Sequence, residues 1–423
     1  MINTPLRILV VPPMYGGSLP MAERCTAALT SLGHTVRQFD APSFYSAFSA
    51  LGKLHIPGTQ TSQLENSFLR LLSQSVGMVI DSFAPNLVLA LAQAPLDRLL
   101  LQKLRSDKIT TVMWFVEDYK VFPYWRVFAP LYSCFAVIQK EPFFSELAAI
   151  GQKNVCYLPC AADPSFHRHI DLTDEEIREF SSDIAFVGAG YPNRRIAFRA
   201  FDDADFKIWG SDWDGEQILA HHIQRNGERI CAEDCVKIYS ATKININLHS
   251  SIYAEKQSKI GDFVNPRTFE LASIGAFQVV DKRELMSELF ADDELATFCN
   301  FDDMAARAFY FLEHPEERSS YTEKAKKRIL AEHTYKHRMQ TLLDFLKERI
   351  PDFDKSAKTA TRLPDGIPLH VKEQLATLLD ELELPPSVPF DDVVERLRQK
   401  KKQLSAAECT ILFLDAWCKQ YEK

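Results

Sequence analysis

The stretch Gly261-Asp-Phe-Val-Asn-Pro-Arg-Thr-Phe-Glu-Leu-Ala-Ser-Ile-Gly-Ala-Phe277 predicts a loop that enters a helix and is followed by a strand. Pro266 suits the first helical turn, and either Asn265 or Thr268 can cap the amino terminus with a side-chain oxygen. Gly275 ends the helix, because glycine readily takes the left-handed conformation found at helix ends. The stretch is therefore one unit of an alternating α/β fold.

Arg267 is unusual in the first turn of this helix. A helix amino terminus carries partial positive charge, so a guanidinium there is unfavourable unless an anion lies between the two. A diphosphate satisfies both, because exposed N–H groups and a guanidinium fork each bind phosphate oxygens. Glu270, one turn further, can accept hydrogen bonds from ribose hydroxyls. The alternative is an ordinary surface helix start without a ligand.

The chain upstream of this unit alternates apolar runs with helical patterns. The first series of predicted strands is Arg7–Val11, His34–Phe39, Asn86–Leu91, Thr110–Val116, Cys134–Ile138 and Asn154–Leu158. A second series comprises Ser182–Gly188, Phe206–Trp209, Ile244–Leu248 and Ala276–Val280. Strands that alternate with helices imply parallel pairing. We therefore predict two Rossmann-like halves that face a cleft, with ligands at the carboxyl ends of the strands.

The C-terminal quarter of the chain has helical patterns only. Residues 315–350 predict a nearly continuous helix, and a polar linker then leads to three amphipathic helices within residues 367–423. This tail is expected either to pack on the body or to mediate a homo-oligomer. The predicted domains are residues 1–165, residues 166–330, a closing helix at 331–350, and the linker and tail at 351–423.

Composition narrows the class of partner and the compartment. The 423 residues include 49 basic and 57 acidic ones, which give a net charge of −8 and no overall attraction for nucleic acid. Nine scattered cysteines suggest reduced thiols and a cytoplasmic protein. No apolar run approaches the 18 residues of a transmembrane helix, and the N-terminal region does not resemble a signal peptide.

A glycine-rich loop follows the first strand of the second half. Gly188 and Gly190 precede Asn193 and Arg194 at a predicted helix start, which is a phosphate-binding arrangement because glycines let the backbone approach a ligand. Two further residues lie at strand ends that point to the same crevice, Gly210 and His249.

Two carboxylates follow a buried strand of the first half, Glu117 and Asp118. A carboxylate at the edge of a cleft can act as a general base that takes the proton of a substrate hydroxyl, and either of the two can serve if the reaction needs such a base. The alternative is a helix cap or a salt bridge to a neighbouring basic residue. Gly16 and Gly17, in the first loop, are expected to approach the acceptor or the sugar diphosphate.

No segment of the sequence predicts a metal or cofactor site. Asp203-Ala-Asp205 and Asp212-Trp-Asp214 have the Asp-x-Asp form of metal-dependent transferases, but both lie among acidic turns of the second half. His221-His222 is interpreted as a surface pair on a helix. We therefore expect no metal ion and no cofactor.

The run Asn265–Glu270, followed by Ala272 and Gly275–Phe277, resembles the nucleotide-sugar site of GT-B glycosyltransferases of the spore maturation protein CgeB-like group. Four other segments resemble this group along the chain, Trp114–Asp118, Leu158–Asp163, Phe186–Arg195 and His333–Arg338. The similarity extends from about residue 7 to residue 346 and leaves the tail unmatched.

The resemblance implies a GT-B fold with a C-terminal helical extension, and a glycosyl transfer from a nucleotide diphospho-sugar without a metal ion. It implies that Glu270 binds the nucleotide ribose. It also implies that Asp262, which is separated from Glu270 by seven residues, belongs to the same donor-binding motif. The acceptor, the sugar and the base are left open. Two alternatives remain, a nucleotide-sugar 2-epimerase of the same fold and a non-catalytic assembly protein that has kept it.

Overall fold

The computed structural model describes residues 5–251, 262–350, 353, 368–382, 384, 388, 390–400 and 403–421. Gly261 and nearly all of the predicted linker from 351 to 367 lie outside the described residues. The described part of the chain contains two parallel sheets with their helices, followed by helices alone.

The first sheet and its helices occupy the N-terminal part of the chain. In chain order the elements are β1 Arg7–Val11, α1 Ser18–Ser31, β2 Thr35–Gln38, α2 Tyr45–Leu51, α3 Gly58–Phe83, β3 Leu87–Leu91, α4 Arg98–Ser106, β4 Thr110–Phe115, α5 Trp125–Phe128, β5 Cys134–Val137, α6 Phe143–Ala149 and β6 Val155–Tyr157. All strands are parallel, in the order β2-β1-β3-β4-β5-β6. β3, β4 and β5 are wholly buried because helices cover both faces of the sheet.

The second sheet has the same type of connection. Its elements are α7 Asp174–Phe180, β7 Ser182–Val187, α8 Pro192–Ala197, β8 Phe206–Trp209, α9 Ala232–Ala241, β9 Thr242–Asn247, α10 Pro266–Ile274, β10 Gln278–Asp281, β11 Ala296–Phe298, α11 Phe301–Glu313 and α12 Pro315–Glu332. The strand order is β11-β10-β9-β7-β8, again all parallel. The predicted α/β class with two Rossmann-like halves is confirmed. β11 was not predicted from the sequence.

The nearly continuous helix predicted over residues 315–350 is divided in two, because the chain breaks for two residues between α12 and α13, Tyr335–Arg349. Thr334 caps α13, with its hydroxyl oxygen accepting the N–H of His337 at 3.3 Å. The break coincides with a pairing between two crossings of the chain. Ala162 donates its N–H to the carbonyl of His333 and accepts the N–H of Tyr335, each at 3.0 Å.

These paired crossings link the two sheets. Arg338 strengthens the link, because its Nε donates to the carbonyl of Pro159 at 2.8 Å. After the return crossing, α13 packs on α1 with its apolar side, so the C-terminal helix of the body covers the first sheet. The Leu158–Asp163 and His333–Arg338 segments therefore meet in the fold.

The tail forms the three predicted helices, α14 Leu369–Glu381, α15 Phe390–Gln399 and α16 Ala406–Tyr421. Leu379, Val393 and Leu397 are among the residues of a small apolar core of its own. The tail packs on the body, since Asp392 forms an ion pair with Arg7 on β1. A homo-oligomer through these helices stays a prediction.

The carboxyl edges of the two sheets face each other across a cleft. A cavity of about 140 Å³ lies between them and is lined by residues after β4, β5 and β10, namely Tyr119, Lys120, Gln139, Lys140, Glu141, Pro142, Glu284 and Leu285, together with Asp262. Lys140 also forms an ion pair with Glu288 across the same gap. Strand order reverses between β1 and β3 in one sheet and between β7 and β9 in the other. Open α/β sheets bind ligands at such switch points.

Candidate functional site

The amino terminus of α10 rests on a buried polar network. Asn265 is the cap, and its Oδ1 accepts the N–H and the hydroxyl of Thr268, each at 3.0 Å. Asn247, the last residue of β9, donates to the Thr268 hydroxyl and to Gln278, each at 2.9 Å. Asn265 donates in turn to Asn247 at 2.7 Å. Asn265 and Thr268 therefore fix the start of the helix, and their side chains are satisfied within the protein.

Arg267 extends from this first turn toward the carboxyl end of β7. Its Nε donates to the hydroxyl of Tyr239 at 2.9 Å, and its guanidinium carbon lies 5.5 Å from the centroid of the Phe186 ring. Burial alone would lower the pKa of Arg267, but Tyr239 and Glu270 raise it. The guanidinium is therefore a fixed positive charge at the edge of the sheet.

Arg194 brings a second guanidinium to the same aromatic ring, 4.8 Å from the Phe186 centroid. Burial, and after it the like charge of Arg267, lower the pKa of Arg194 to about 9. Within the described residues, no carboxylate oxygen lies within 4.0 Å of either guanidinium. Two partly or wholly buried like charges destabilise one another, and an anion bound beside them would remove that cost.

The hydrogen bonds of Arg194 and Asn193 show what else these residues do. Arg194 donates to the Leu248 carbonyl through Nε at 3.1 Å and Nη2 at 2.8 Å, and to the Ala189 carbonyl through Nη1 at 3.0 Å. Asn193 is fully buried, donates to the His249 carbonyl at 2.8 Å and accepts the N–H of Ser251 at 3.0 Å. Both side chains therefore tie the loop after β9 to the loop after β7. Arg194 offers its charge to a ligand, while most of its donors are committed to carbonyls.

The glycines of this loop pack against the protein itself. Gly188 and Gly190 donate their N–H groups to the carbonyls of Trp209 and Ser211, at 2.7 and 3.0 Å. This leaves neither N–H free for a phosphate, contrary to the interpretation from the sequence. A Cβ at Gly190 would lie 2.2 Å from the Asp212 carbonyl oxygen, and one at Gly210 would lie 2.7 Å from that of Gly188. The three glycines allow the loops after β7 and β8 to pack backbone against backbone.

His249 is a positioning residue rather than a ligand contact. Its Nδ1 lies 2.6 Å from Asp281 Oδ1, and its Nε2 accepts the N–H of Asn265 at 2.9 Å. Both nitrogens are thus occupied, which requires a neutral ring with the proton on Nδ1. Burial is the main reason that the pKa of His249 falls to about 4. Burial alone would raise the pKa of Asp281, but His249 and Arg283 lower it to about 2.

Glu270 and Asp262 have different surroundings. Glu270 is about one quarter exposed, and its Oε1 lies 4.0 Å from His167 Nε2 near the interdomain crossing. Asp262 accepts the N–H of Glu284 at 2.6 Å and lines the interdomain cavity, where burial raises its pKa to about 6. The carboxylate of Glu270 is therefore open to a ligand, whereas that of Asp262 is engaged by the loop after β10.

Glu117 lies across the cleft at the carboxyl end of β4. Its Oε2 accepts the hydroxyl of Tyr124 at 2.7 Å, and its Oε1 accepts the side-chain amide of Gln93. Burial is the main influence on the pKa of Glu117 and raises it. Gln93 has a φ of 65°, in the left-handed region that non-glycine residues seldom adopt. A held carboxylate with a raised pKa has the properties of a general base.

Asp118 has a local role. Its Oδ1 accepts the N–H of Lys120 at 3.0 Å, and its carbonyl accepts the N–H groups of Val121 and Phe122 at 3.1 and 2.9 Å. The residue therefore closes a turn, and of the two predicted carboxylates only Glu117 has the environment of a base.

Gly16 and Gly17 lie at the switch point of the first sheet. Gly17 occupies the N-cap position of α1, where it has no side chain to accept a backbone N–H. The hydroxyl of Ser18, the next residue, donates to the carbonyl of Ala92 after β3 at 3.0 Å. A Cβ at either glycine would meet no atom within 4 Å. Unlike the glycines of the second sheet, these two face open space at a helix amino terminus, where a ligand can approach.

Several residues of the site were not found from the sequence. Tyr239 holds Arg267, Asp281 holds His249, and Gln93 with Tyr124 holds Glu117. Gln93 and Asp281 carry a usable signal, since each follows or ends a predicted strand at its carboxyl end. Tyr239 lies inside a helix and carries none.

The two Asp-x-Asp motifs lie at opposite ends of β8, because Asp203-Ala-Asp205 precedes this strand and Asp212-Trp-Asp214 follows it. Arg195 donates to the carbonyls of both Asp212 and Asp214, so this pair contributes backbone to a turn. His221 and His222 lie in a short 3-10 turn rather than on an α-helix, and His222 is buried. The interpretation of this pair as two surface residues is therefore wrong for His222.

Comparison with known proteins bears on this arrangement. Residues 194–344 match a family of sequences described as glycosyl transferase-like. The chain has the GT-B fold. The matched segment includes Arg194, Arg267 and Glu270 and ends within the helix that returns to the first sheet. No curated protein matches the sequence.

Solved structures with this fold resemble the chain at low sequence identity. The HepE protein of Anabaena in complex with UDP and glucose has a TM-score of 0.55 and 13% identity, covering 81% of this chain and 100% of that one. The sucrose-phosphate synthase of Thermosynechococcus elongatus has a TM-score of 0.54 and 10% identity, covering 82% and 99%. A candidate UDP-N-acetylglucosamine 2-epimerase from Listeria monocytogenes has a TM-score of 0.51 and 11% identity, covering 82% and 96%. These similarities show the fold alone.

Within the part of the chain that the structure describes, no helix combines the length and apolar character needed to span a membrane.

Proposed function

We propose that this chain is a glycosyltransferase of the CgeB-like kind that moves a sugar from a nucleotide diphospho-sugar to an acceptor in the cleft, without a metal ion. The observation that carries the proposal is the pair Arg194 and Arg267, two guanidinium groups on one aromatic ring with no described carboxylate within 4.0 Å. Such a pair suits the diphosphate of a donor and can stabilise the charge that develops on it as the sugar leaves.

Arg267 is the residue that contacts the diphosphate in this proposal. Only one hydrogen bond, from its Nε to Tyr239, is formed within the described residues, which leaves its terminal nitrogens as donors. They act together with the amino terminus of α10, whose partial positive charge also favours an anion. Glu270, one turn further, accepts hydrogen bonds from the ribose hydroxyls.

The acceptor is held by the first domain in this proposal. Glu117 takes the proton of the acceptor hydroxyl if the reaction inverts the anomeric carbon, and its raised pKa makes it a stronger base than an exposed carboxylate. Gly16 and Gly17 leave room for the sugar diphosphate at the amino terminus of α1. Closure of the two domains would exclude water from the donor.

A thermal-shift screen of UDP, GDP, dTDP, ADP and CMP sugars tests donor binding. UDP sugars come first, because the HepE structures of the same fold contain UDP and UDP-glucose. We expect one nucleotide class to raise the melting temperature of the wild type and to have no effect on Arg267→Ala. An equal shift in Arg267→Ala would place the nucleotide elsewhere.

A nucleotide-sugar 2-epimerase of the same fold is the second candidate, because the Listeria structure with this fold is described as a candidate UDP-N-acetylglucosamine 2-epimerase and a fold alone does not fix the reaction. The difference lies in the need for an acceptor. With the donor identified by the screen, a transferase forms a new glycoside only when acceptor is added, whereas an epimerase converts the donor alone. Conversion of the donor sugar without acceptor or hydrolysis would overturn the transferase assignment.

A further inference from the structure

A cluster of potential metal ligands lies at the edge of the second sheet that is opposite to the cleft. Asp202 precedes β8, and His221 and His222 follow it in a 3-10 turn that packs on the first residue of that strand, Phe206. One ligand atom from each of the three side chains lies within 4.8 Å of the other two. Arg267 and Arg194 act at the carboxyl edge, so this cluster is separate from the proposed donor site.

The orientation of His222 is set by the backbone. Its side chain is 6% exposed, and its Nδ1 lies 2.8 Å from the carbonyl oxygen of Phe206. A carbonyl only accepts, so Nδ1 carries a proton, and in a neutral ring Nε2 then presents a lone pair. That lone pair faces two oxygens of Asp202, the carbonyl oxygen at 3.2 Å and Oδ1 at 3.8 Å. Acceptors that face one another this way need a proton or a cation between them.

Asp202 supplies the second indication of a ligand. Its Oδ1 is buried and makes no hydrogen bond in the part of the chain that the structure describes. The same oxygen lies 3.7 Å from Nε2 of His221 and 3.8 Å from Nε2 of His222. A charge-assisted hydrogen bond to an imidazolium is about 2.7–2.9 Å long. The carboxylate thus stands too far from both rings for a direct hydrogen bond.

The distances from Asp202 Oδ1 to the Nε2 atoms of the two histidines fit a shared metal ion better than a shared proton. Zn²⁺ binds imidazole nitrogen and carboxylate oxygen at about 2.0–2.2 Å, so two of its ligands lie roughly 3.3–3.6 Å apart in tetrahedral geometry. The contacts of 3.7 and 3.8 Å need to shorten by only a few tenths of an ångström. A metal-binding histidine also usually donates its other N–H to a carbonyl or carboxylate, as His222 does to Phe206.

We propose that Asp202, His221 and His222 bind one divalent transition-metal ion, of which Zn²⁺ is the best match. The ligands are Nε2 of both histidines and Oδ1 of Asp202, with water completing the shell. Imidazole with one carboxylate favours Zn²⁺, Ni²⁺ or Cu²⁺ over Mg²⁺ or Ca²⁺. The ion fastens the 3-10 turn of the two histidines to the turn before β8, so it stabilises the second domain and takes no part in transfer.

Metal content and melting temperature of the full chain test this site. The protein is purified without a histidine tag, treated with EDTA and dialysed against Zn²⁺ or Mg²⁺. We expect one equivalent of Zn²⁺ per chain by mass spectrometry, a rise in melting temperature on the order of 5 °C, and no response to Mg²⁺. His221→Ala is the variant of choice, since that side chain is 60% exposed and its ring contact is with the other histidine of the site, His222, at 3.9 Å.

His221→Ala should lose the equivalent of Zn²⁺ and the thermal shift, while His169→Ala, at another exposed histidine, should keep both. The absorption spectrum of the protein loaded with Co²⁺ distinguishes a site of nitrogen and oxygen ligands from binding by cysteines, because thiolate ligands add charge-transfer bands. Retention of the bound ion in His221→Ala, or such thiolate bands, would overturn the proposal. A wild type that binds no Zn²⁺ would also overturn it. None of these outcomes depends on transferase activity.

Discussion

Arg194 and Arg267 place their guanidinium carbons 4.8 and 5.5 Å from the centroid of one phenylalanine ring, Phe186, although they come from different helices. The like charge of Arg267 contributes to the lowered pKa of Arg194. An anion would relieve this repulsion, and the two residues therefore make distinct contributions that substitution can separate.

Replacing Arg267 by alanine should abolish nucleotide binding and turnover with little effect on folding. The variant loses the hydrogen bond to Tyr239, about 1 kcal/mol, but it also loses the repulsion of Arg194. The melting temperature without ligand should therefore change by no more than about 3 °C. Calorimetry and initial rates provide the measurements, with Arg307→Ala on α11 as a control for loss of a surface arginine. Full activity of Arg267→Ala would contradict the proposed function.

Glycine substitutions should distinguish packing from ligand approach. Gly190→Ala should destabilise the chain by roughly 2–4 kcal/mol, because its Cβ would lie 2.2 Å from the Asp212 carbonyl. Gly17 has a φ of −70°, which alanine also adopts, and a Cβ at this position would meet no atom within 4 Å. The stability of Gly17→Ala should therefore be unchanged or slightly higher than that of the wild type. Denaturant unfolding measures both. If Gly17→Ala is also fully active, no ligand approaches that glycine.

Glu117→Gln should reduce turnover by roughly 10²- to 10⁴-fold if the reaction inverts configuration. Burial raises the pKa of Glu117, so wild-type activity should fall as the pH drops through that raised value, because the protonated carboxyl cannot accept the acceptor proton. The pH dependence of kcat/KM is the measurement, and Asp118→Asn is the control that should keep the acid limb. A retaining enzyme would show no such limb from Glu117.

His249 should make stability depend on pH in a defined window. Its pKa is about 4 in the folded state and near 6.5 when unfolded, so the unfolded state binds more protons between these values. Stability is fully present above pH 6.5 and is lost as the pH falls toward 4, at up to about 1.4 kcal/mol per pH unit. Urea unfolding at pH 7, 6, 5 and 4 measures this. His249→Gln should show a shallower dependence, with the remainder due to groups such as His333, whose pKa is also about 4.

Asp392→Ala should release the helical tail from the body. Asp392 is 2% exposed and pairs with Arg7, so its loss leaves a largely buried guanidinium without its carboxylate, at a cost of about 3 kcal/mol. Limited proteolysis should then cut near the tail. Glu395→Ala is the matched control, because its ion pair with Arg37 is about one third exposed and 3.9 Å long. Equal resistance of both variants would mean that apolar contacts alone hold the tail.

The strands that predict this fold are local features of the chain. Strands such as Arg7–Val11 and Ser182–Val187 end in runs of apolar residues, Ile8–Val11 and Ile184–Val187. Their alternation with helical segments along the chain implies parallel sheets without any knowledge of contacts. The cap of α10 by Asn265 and its end at Gly275 are equally local. Short elements such as β11 and the break before Tyr335 depend on long-range pairing and were missed.

The amino-acid sequence by itself determined two α/β halves, the cleft between them, and the candidacy of Arg267, Glu270 and Glu117, because residue type, periodicity and position at strand ends are readable along the chain. Only the tertiary structure decided what each candidate touches. It assigned packing or positioning roles to Gly188, Gly190, Asn193 and His249, and it brought Asp202 close to His221 and His222. The reason is physical: hydrogen-bond partners at a sheet edge come from strands far apart in sequence, and a donor already bound to a carbonyl is no longer available to a ligand.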